Sequence, residues 1–150
     1  MSIFTAHTEL VARLQQLRQF DHVAEDEPPN FPGRGLYAAV WFDDIQVASG
    51  LSSLKLAGML YTLNVRMYKA AVNTPGDSID VRLVRALDAC ITSLTAEVLL
   101  GDSGYRVDVL GAYSGGLRAT TDWVDFGTGK TTRVVDVTVP VFAPTEKTNA

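Results

Sequence analysis

The most suggestive chemical motif is a glycine-rich segment at residues 127–132, GTGKTT. It ends like a Walker A phosphate loop, in which backbone amides and a lysine hold the phosphates of a nucleotide. That motif needs a further glycine where this chain has Val124, and a helix directly after the lysine. A segment with valine at alternate positions follows instead, which is typical of a β-strand. The motif therefore predicts a tight β-hairpin and no nucleotide site.

The other residues capable of catalysis or metal binding do not form a recognisable group. His7 and His22 are fifteen residues apart, and neither has a second ligand at metal-binding spacing. Cys90 is the single cysteine, which excludes an internal disulfide, and it lies beside an apolar stripe where such a residue is usually a small buried hydrophobe. The acidic segments 25–27 and 43–44 lack the alternating oxygen ligands of a calcium loop. We predict no enzymatic activity, no cofactor and no bound metal.

Composition and charge limit the class of protein further. The chain has 150 residues, which fits one domain spanning 1–150, and its 47% apolar and 20% charged residues are ordinary for a globular protein. The net charge of −4 argues against non-specific nucleic-acid binding, which usually needs a basic face. We find no secretion signal and no apolar run of membrane-spanning length. We therefore expect no membrane contact and residence in a cytoplasm.

The hydrophobic periodicity predicts two helices and five strands. Spacings of three and four residues indicate helices at 5–19 and from Ser78 or Asp80 to Leu99, the second ended by Gly101. Alternating or continuous apolar runs indicate strands at 36–42, 54–68, 105–113, 117–126 and 132–142. Loops are predicted at 25–35 and 46–53, a turn at 73–76, and a flexible tail at 143–150. The order αββαβββ indicates an α+β fold, with a mainly antiparallel sheet backed by two helices on one face.

Several segments together resemble one family, although none of them is a catalytic signature. The sequence resembles the tail terminator, also called minor tail or tail completion protein, of long-tailed bacteriophages, particularly those that infect actinobacteria. The order and spacing of the matching segments carry the resemblance, which runs over most of the chain. The segments are 35–41 (GLYAAVW), 64–68 (NVRMY), Asp80, 87–89 (LDA), 109–113 (VLGAY) and 133–140 (RVVDVTVP).

The resemblance implies a structural role in the virion. Tail terminators form a homohexameric ring that caps the tail tube at its head-proximal end, stops its polymerisation and presents a surface for head–tail joining. The implied partners are further copies of the chain, the tail tube protein and a head-completion or connector protein, with assembly in the host cytoplasm. A head–tail connector, neck protein or other tail-completion protein is the main alternative. A small-ligand-binding domain or enzyme with a pocket between sheet and helices is the second.

The sequence offers contact surfaces for such a role but no transferable motif. The predicted strand at 54–68 has one polar face, and two long loops flank the first strand. We take residues of these segments as candidates for contacts with a partner, while ordinary solvated loops and surface charges are the competing interpretation. The candidates are Arg34, Asp43, Asp44, Ser49, Leu51, Asn64 and Arg66.

Overall fold

The computed structural model of the chain describes residues 3–26, 35–49, 56–69, 81–101, 104–125 and 131–144. Within these ranges the chain forms two helices and six strands. The helices are α1 (Ile3–Gln16) and α2 (Val81–Ala96). The strands are β1 (His22–Ala24), β2 (Leu36–Ser49), β3 (Leu56–Lys69), β4 (Arg106–Val107), β5 (Arg118–Asp125) and β6 (Thr131–Pro144). Neither helix in these ranges has the length and apolar character needed to cross a membrane.

The strands form one mixed sheet, which confirms the predicted α+β class. The path through the sheet is β1-β2-β3-β6-β4, and β5 pairs with β6 on the same edge as β4. All neighbours are antiparallel except β1, which lies parallel to β2. The predicted order αββαβββ is wrong by this one strand. β1 has three residues, which is too short for an alternating pattern to reveal.

Several predicted boundaries are also wrong. β2 continues to Ser49 instead of ending at Phe42, because a bulge takes up Asp43 as an extra residue and Asp44 resumes the pairing opposite Thr62. The predicted loop from Gln46 therefore begins inside β2. The predicted strand at 105–113 is reduced to two residues, since the chain turns at Asp108.

The end of α2 differs from the prediction as well. The helix stops at Ala96, while Gly101, with φ of +60°, lies beyond it in the turn that leads towards β4. The predicted turn at 73–76, the helix-capping residues Ser78 and Asp80 and the hairpin glycines at 127–129 lie outside the described residues. Of the predicted flexible tail, Ala143 and Pro144 belong to β6, and 145–150 lie outside the described residues.

The hydrophobic core lies between the two helices and one face of the sheet, the helix-side face. The odd-numbered residues of β3 and β6 supply this face, as the alternation predicts. The buried residues of α1 and α2 belong to the same cluster. Its members include Leu10, Leu14, Tyr61, Leu63, Val65, Met67, Leu83, Leu94, Tyr105, Val137 and Val139.

The buried stripe of α2 is rotated from the one that the sequence predicts. Leu83, Ala86, Cys90 and Leu94 are buried, whereas Leu87, which the three- and four-residue spacing places on the apolar stripe, is only partly buried. The fully buried Ala86 and Cys90 thus belong to the core, and Leu87 packs at its margin.

Arg13 of α1 joins the two helices at the C-terminal end of α2. Its Nη1 donates to the carbonyl of Glu97 at 2.9 Å and its Nη2 to that of Leu99 at 2.7 Å. Both carbonyls follow the last residue of α2, and a cation beside this end of the helix is favoured by the helix dipole. No local sequence pattern indicates the contact, since its acceptors are more than eighty residues away.

We expect Leu94→Ala to lower the free energy of unfolding by about 2–5 kcal/mol, as is usual for a buried leucine. Leu87→Ala should cost clearly less, because its side chain is already partly exposed. Thr92→Ala, at an exposed position of α2, is the control and should change stability by less than about 0.5 kcal/mol. Urea denaturation measures all three. Equal losses for Leu87→Ala and Leu94→Ala would contradict the observed rotation of the stripe.

Cys90 should not react with thiol reagents in the folded protein. Burial raises the pKa of its thiol to about 12, against an opposing effect of the nearby Arg13. The thiolate is the reactive form, so a disulfide reagent at pH 8 should label the native protein only on unfolding. Thr92→Cys provides an exposed thiol on the same helix as a positive control. Rapid labelling of the wild-type chain in native buffer would show that Cys90 is accessible.

Candidate interaction surface

The second face of the sheet, here called the outer face, carries no described helix. Tyr37, Trp41, Arg66, Tyr68 and Asp136 lie on it, because their positions alternate with those of the core. A small apolar cluster of Ala39, Tyr68 and Val134 packs on this side, separate from the main core. The outer face is therefore a half-buried surface with aromatic, charged and polar residues in rows across the strands.

Stacked tyrosines form the first of these rows. Tyr37 of β2 and Tyr68 of β3 are cross-strand partners with ring centroids 5.7 Å apart and planes within 4° of parallel. Burial raises the pKa of Tyr68 to about 12, the neighbouring Tyr37 adds to the rise, and Arg66 opposes it. The rings of His22 in β1 and Tyr37 lie edge to face, with their centroids 6.0 Å apart. This contact extends the aromatic row to the margin of the sheet.

The next row is built on an ion pair. Arg66 of β3 lies opposite Asp136 of β6, with Nε–Oδ1 of 2.8 Å and Nη2–Oδ2 of 3.0 Å. The two side chains are only 16% and 18% exposed, and the guanidinium also lies 5.3 Å from the centre of the Trp41 ring. Such two-point pairing orients both groups rigidly. The structure thus gives Arg66 an internal structural role, and its contact with a partner stays a prediction.

A polar cleft of about 230 Å³ opens further along the same face. The bulge of β2 contributes the carboxylates of Asp43 and Asp44, while Arg118 of β5 lies on the opposite wall. Hydroxyl-bearing side chains line the floor and rim, namely Thr62, Thr138 and Ser114. The Asp44 carboxylate accepts from its own neighbours, the amide of Ile45 at 2.8 Å and Nε2 of Gln46 at 3.2 Å.

A turn held by Asp108 builds the wall that bears Ser114. The carboxylate of Asp108 accepts from the amides of Ala112 and Tyr113 and from Oγ of Ser114, at 2.8 to 2.9 Å. Burial disfavours the charged carboxylate, but these hydrogen bonds outweigh it and lower the pKa of Asp108 below its ordinary value. The turn places Tyr113 flat against Phe142 on the outer face, with centroids 4.3 Å apart. Asp108 thus lies in a turn and not in the strand predicted at 105–113.

A second cavity, of about 380 Å³, lies where α1 meets β2. Ile3, Phe4, Trp41 and Phe42 give it an apolar lining, with Glu25 and Asp26 at its acidic rim. Nε2 of His7 donates to the carbonyls of Glu25 and Val40, at 2.8 and 2.9 Å. Both partners are carbonyl oxygens, which only accept hydrogen bonds, so Nε2 carries the ring proton. Through these bonds His7 connects α1 to β2 and to the segment after β1.

The candidate contact residues of the sequence analysis fall into three groups. Asp43 and Asp44 line the polar cleft, and Asn64 and Arg66 lie on the outer face beside it. Ser49 ends β2. Arg34 and Leu51 lie outside the described residues. The structure also brings Trp41, Ser114, Arg118 and Asp136 to this face, and no local sequence signal identifies them because their neighbours come from distant strands.

Two kinds of site considered from the sequence, a metal site and a phosphate loop, can be compared with the structure. Within the described residues, no three side chains of the His, Cys, Asp and Glu types lie close enough together to hold a metal. Strand β6 begins at Thr131, directly after the lysine of the glycine-rich motif, as predicted, whereas a phosphate loop is followed by a helix. Comparisons with known protein families and with curated proteins give no match.

Replacement of Asp108 tests the turn that shapes the cleft. Asp108→Asn should lower the free energy of unfolding at pH 7 by about 1–3 kcal/mol, since three donors lose a charged acceptor. Because the folded pKa is depressed, the stabilisation is complete above the unfolded pKa of Asp and is lost as the pH falls through the folded value.

The variant should therefore lose less stability than the wild type between neutral and strongly acidic pH. Chemical denaturation at a series of pH values gives both curves. Asp88→Asn, at an exposed position of α2, controls for the loss of one negative charge. Parallel curves for wild type and Asp108→Asn would contradict the role of this carboxylate.

Proposed function

We propose that this chain is a structural protein of a bacteriophage virion, a tail terminator that caps the tail tube and stops its polymerisation. In this role it also forms the surface for head–tail joining at the head-proximal end of the tail. Copies of the chain assemble into a ring, which we take to be a hexamer. The tail tube protein binds one side and a head-completion or connector protein the other.

One structural observation carries the proposal. The described polar and aromatic residues of the outer face are distributed in rows across β2, β3 and β6, and the polar cleft among them brings together no three potential metal ligands. Between the sheet and the helices, where an enzyme of this architecture would need polar groups, the packed side chains are almost entirely aliphatic. A surface of this kind fits a protein that works through contacts with its neighbours.

The order and spacing of the six matching segments support the same proposal. Two of them meet on the outer face, since 64–68 supplies Arg66 and 133–140 supplies Asp136, and these residues form the ion pair. A third segment, 35–41, supplies Tyr37 and Trp41, which flank that pair. Segments that resemble the family thus contribute to one continuous surface.

A head–tail connector or another tail-completion protein is the main alternative within the virion. Such a protein requires the same kind of contact surface, and the present structure fits it equally well. The two differ in the consequence of their loss. Without a terminator the tube keeps growing, whereas without a connector tails of uniform length fail to join heads.

Deletion of the gene from the phage tests the function directly. We expect tails of variable and excessive length, separate from heads, in electron micrographs of the lysate. Complementation with the wild-type gene should restore uniform tails joined to heads. Tails of normal, uniform length left unattached would favour a connector, and normal intact virions would contradict both roles.

Point variants can then link the function to the surface. Arg118→Glu reverses the charge on one wall of the cleft, and we expect it to restore tails less well than the wild type. Arg85→Glu, at an exposed position of α2 away from the outer face, is the matched control. Arg66→Glu is unsuitable here, because it would place two carboxylates together at the ion pair with Asp136 and disturb the fold.

A further inference from the structure

Most of one margin of β2 has no strand beside it in the described part of the chain. β1 pairs only with Tyr37, Ala38 and Ala39, while β2 continues for ten further residues to Ser49. The unpaired amides and carbonyls of such an edge are a template for another strand. One donor is covered locally, since the amide of Ile45 binds the carboxylate of Asp44.

Large apolar side chains line the same margin. Phe42 and Ile45 are each 46% exposed and Val47 is 69% exposed, all on the helix-side face, and Phe4 of α1 beside them is 76% exposed. An apolar row along an open strand edge is characteristic of a surface that is covered in an assembly. We call these four residues and the edge of β2 the β2 margin.

The opposite margin of the sheet is also open. β5 pairs with β6 on one side, has no described partner on the other, and none of its eight residues is buried. Its sequence contains Thr120, Thr121, Trp123 and Val124, which favour strands, and no lysine or proline that would block an added strand. We call this edge and its neighbouring side chains the β5 margin.

The two margins differ in charge. The β2 margin is flanked by four acidic residues, Glu25, Asp26, Asp43 and Asp44, of which the last two also line the polar cleft with Arg118 of the same copy. The β5 margin is flanked by three arginines and three aspartates, which are Arg106, Arg118, Arg133, Asp122, Asp125 and Asp136, so these charges sum to zero. Like charges disfavour contact between two β2 margins, whereas a β2 margin meets no such repulsion at a β5 margin.

We propose that the β2 margin of one copy pairs, strand to strand, with the β5 margin of a second copy. This inference rests on the proposed ring and names the surfaces that build it. Two different patches of each subunit meet, so the contact is head-to-tail and can repeat until a ring closes.

The direction of the strands suits such a repeat. β2, β3, β6 and β5 alternate in direction, so β5 is antiparallel to β2 within one copy. If the copies are related by rotation about an axis along the strands, β5 meets the next β2 in an antiparallel pair. The alternation of strand direction then continues across the junction between copies, and the helix-side faces of both copies lie on the same side of the continuous sheet.

Side chains on the matching faces are compatible at this junction. Ala119, Thr121 and Trp123 of β5 lie on the helix-side face, where the next copy presents Phe42, Ile45 and Val47. On the outer face, Arg118 comes beside the strand that carries Asp44. Apolar contact on the helix-side face and opposite charges on the outer face therefore favour the same junction.

Cysteine cross-linking tests the pairing in the full-length protein. Val47→Cys is combined in turn with Ala119→Cys, Thr121→Cys or Trp123→Cys, because the register between copies is open. Directly opposed positions meet the short distance that a disulfide needs. Under mild oxidation at high protein concentration, we expect at least one double variant to form a ladder of covalent oligomers, and the corresponding mixture of single variants to form dimers.

The controls separate this contact from others. Thr92→Cys with Thr121→Cys joins an exposed helix position to β5 and should give no ladder. Val47→Cys alone should stay monomeric, and a strong dimer would show that two β2 margins pair instead. Arg118→Glu should reduce the ladder, whereas Arg85→Glu should not. Absence of a ladder from all three double variants overturns the proposal.

The two proposals fail in distinguishable ways. A ladder together with normal tails in the gene deletion would retain the β2–β5 contact and reject the terminator function. Overlong tails in the deletion without any ladder would retain the function and reject this contact.

Discussion

The eleven residue pairs between β3 and β6, from Gly58 and Pro144 to Tyr68 and Val134, hold the other elements in place. β2 pairs with the far side of β3, and β4 and β5 share the far side of β6. Both helices cover the odd-numbered residues of these two strands. A helix or an outer strand could change in length without altering the rest, but the central ladder could not.

The register of that ladder is defined on both faces of the sheet. On the helix side, a shift of one residue would exchange valines and leucines for polar side chains throughout the core. On the outer face, the same shift would separate Arg66 from Asp136 and leave two charges in a half-buried site without their partners. The apolar and ionic contacts therefore specify the same pairing, which is the consistency expected of a sequence with one folded state.

Local pattern was sufficient to predict the long elements and insufficient for the surface between them. β3, β6 and α2 each have a clear hydrophobic period, so their existence and type follow from the sequence. Asp43 and Asp44 resemble a loop because two adjacent acids interrupt the alternation, yet a bulge accommodates them inside β2. Asp108 gives no local sign of its three hydrogen-bond donors, and the cleft joins residues of four distant segments. Such contacts depend on tertiary pairing, which periodicity does not report.

The position of β6 in the chain has a consequence for synthesis on the ribosome. β3, β4 and β5 all pair with β6, and all of them leave the ribosome before it. Before β6 emerges, β3 can pair only with β2. The apolar face of this β2–β3 hairpin then lacks its neighbours in the core, the valines of β6. The growing chain therefore cannot acquire its native sheet segment by segment, and long-range pairing of this kind is slow and prone to aggregation. Nascent chains of this protein therefore expose an apolar strand face until β6 has emerged, and such surfaces are the kind that chaperones protect.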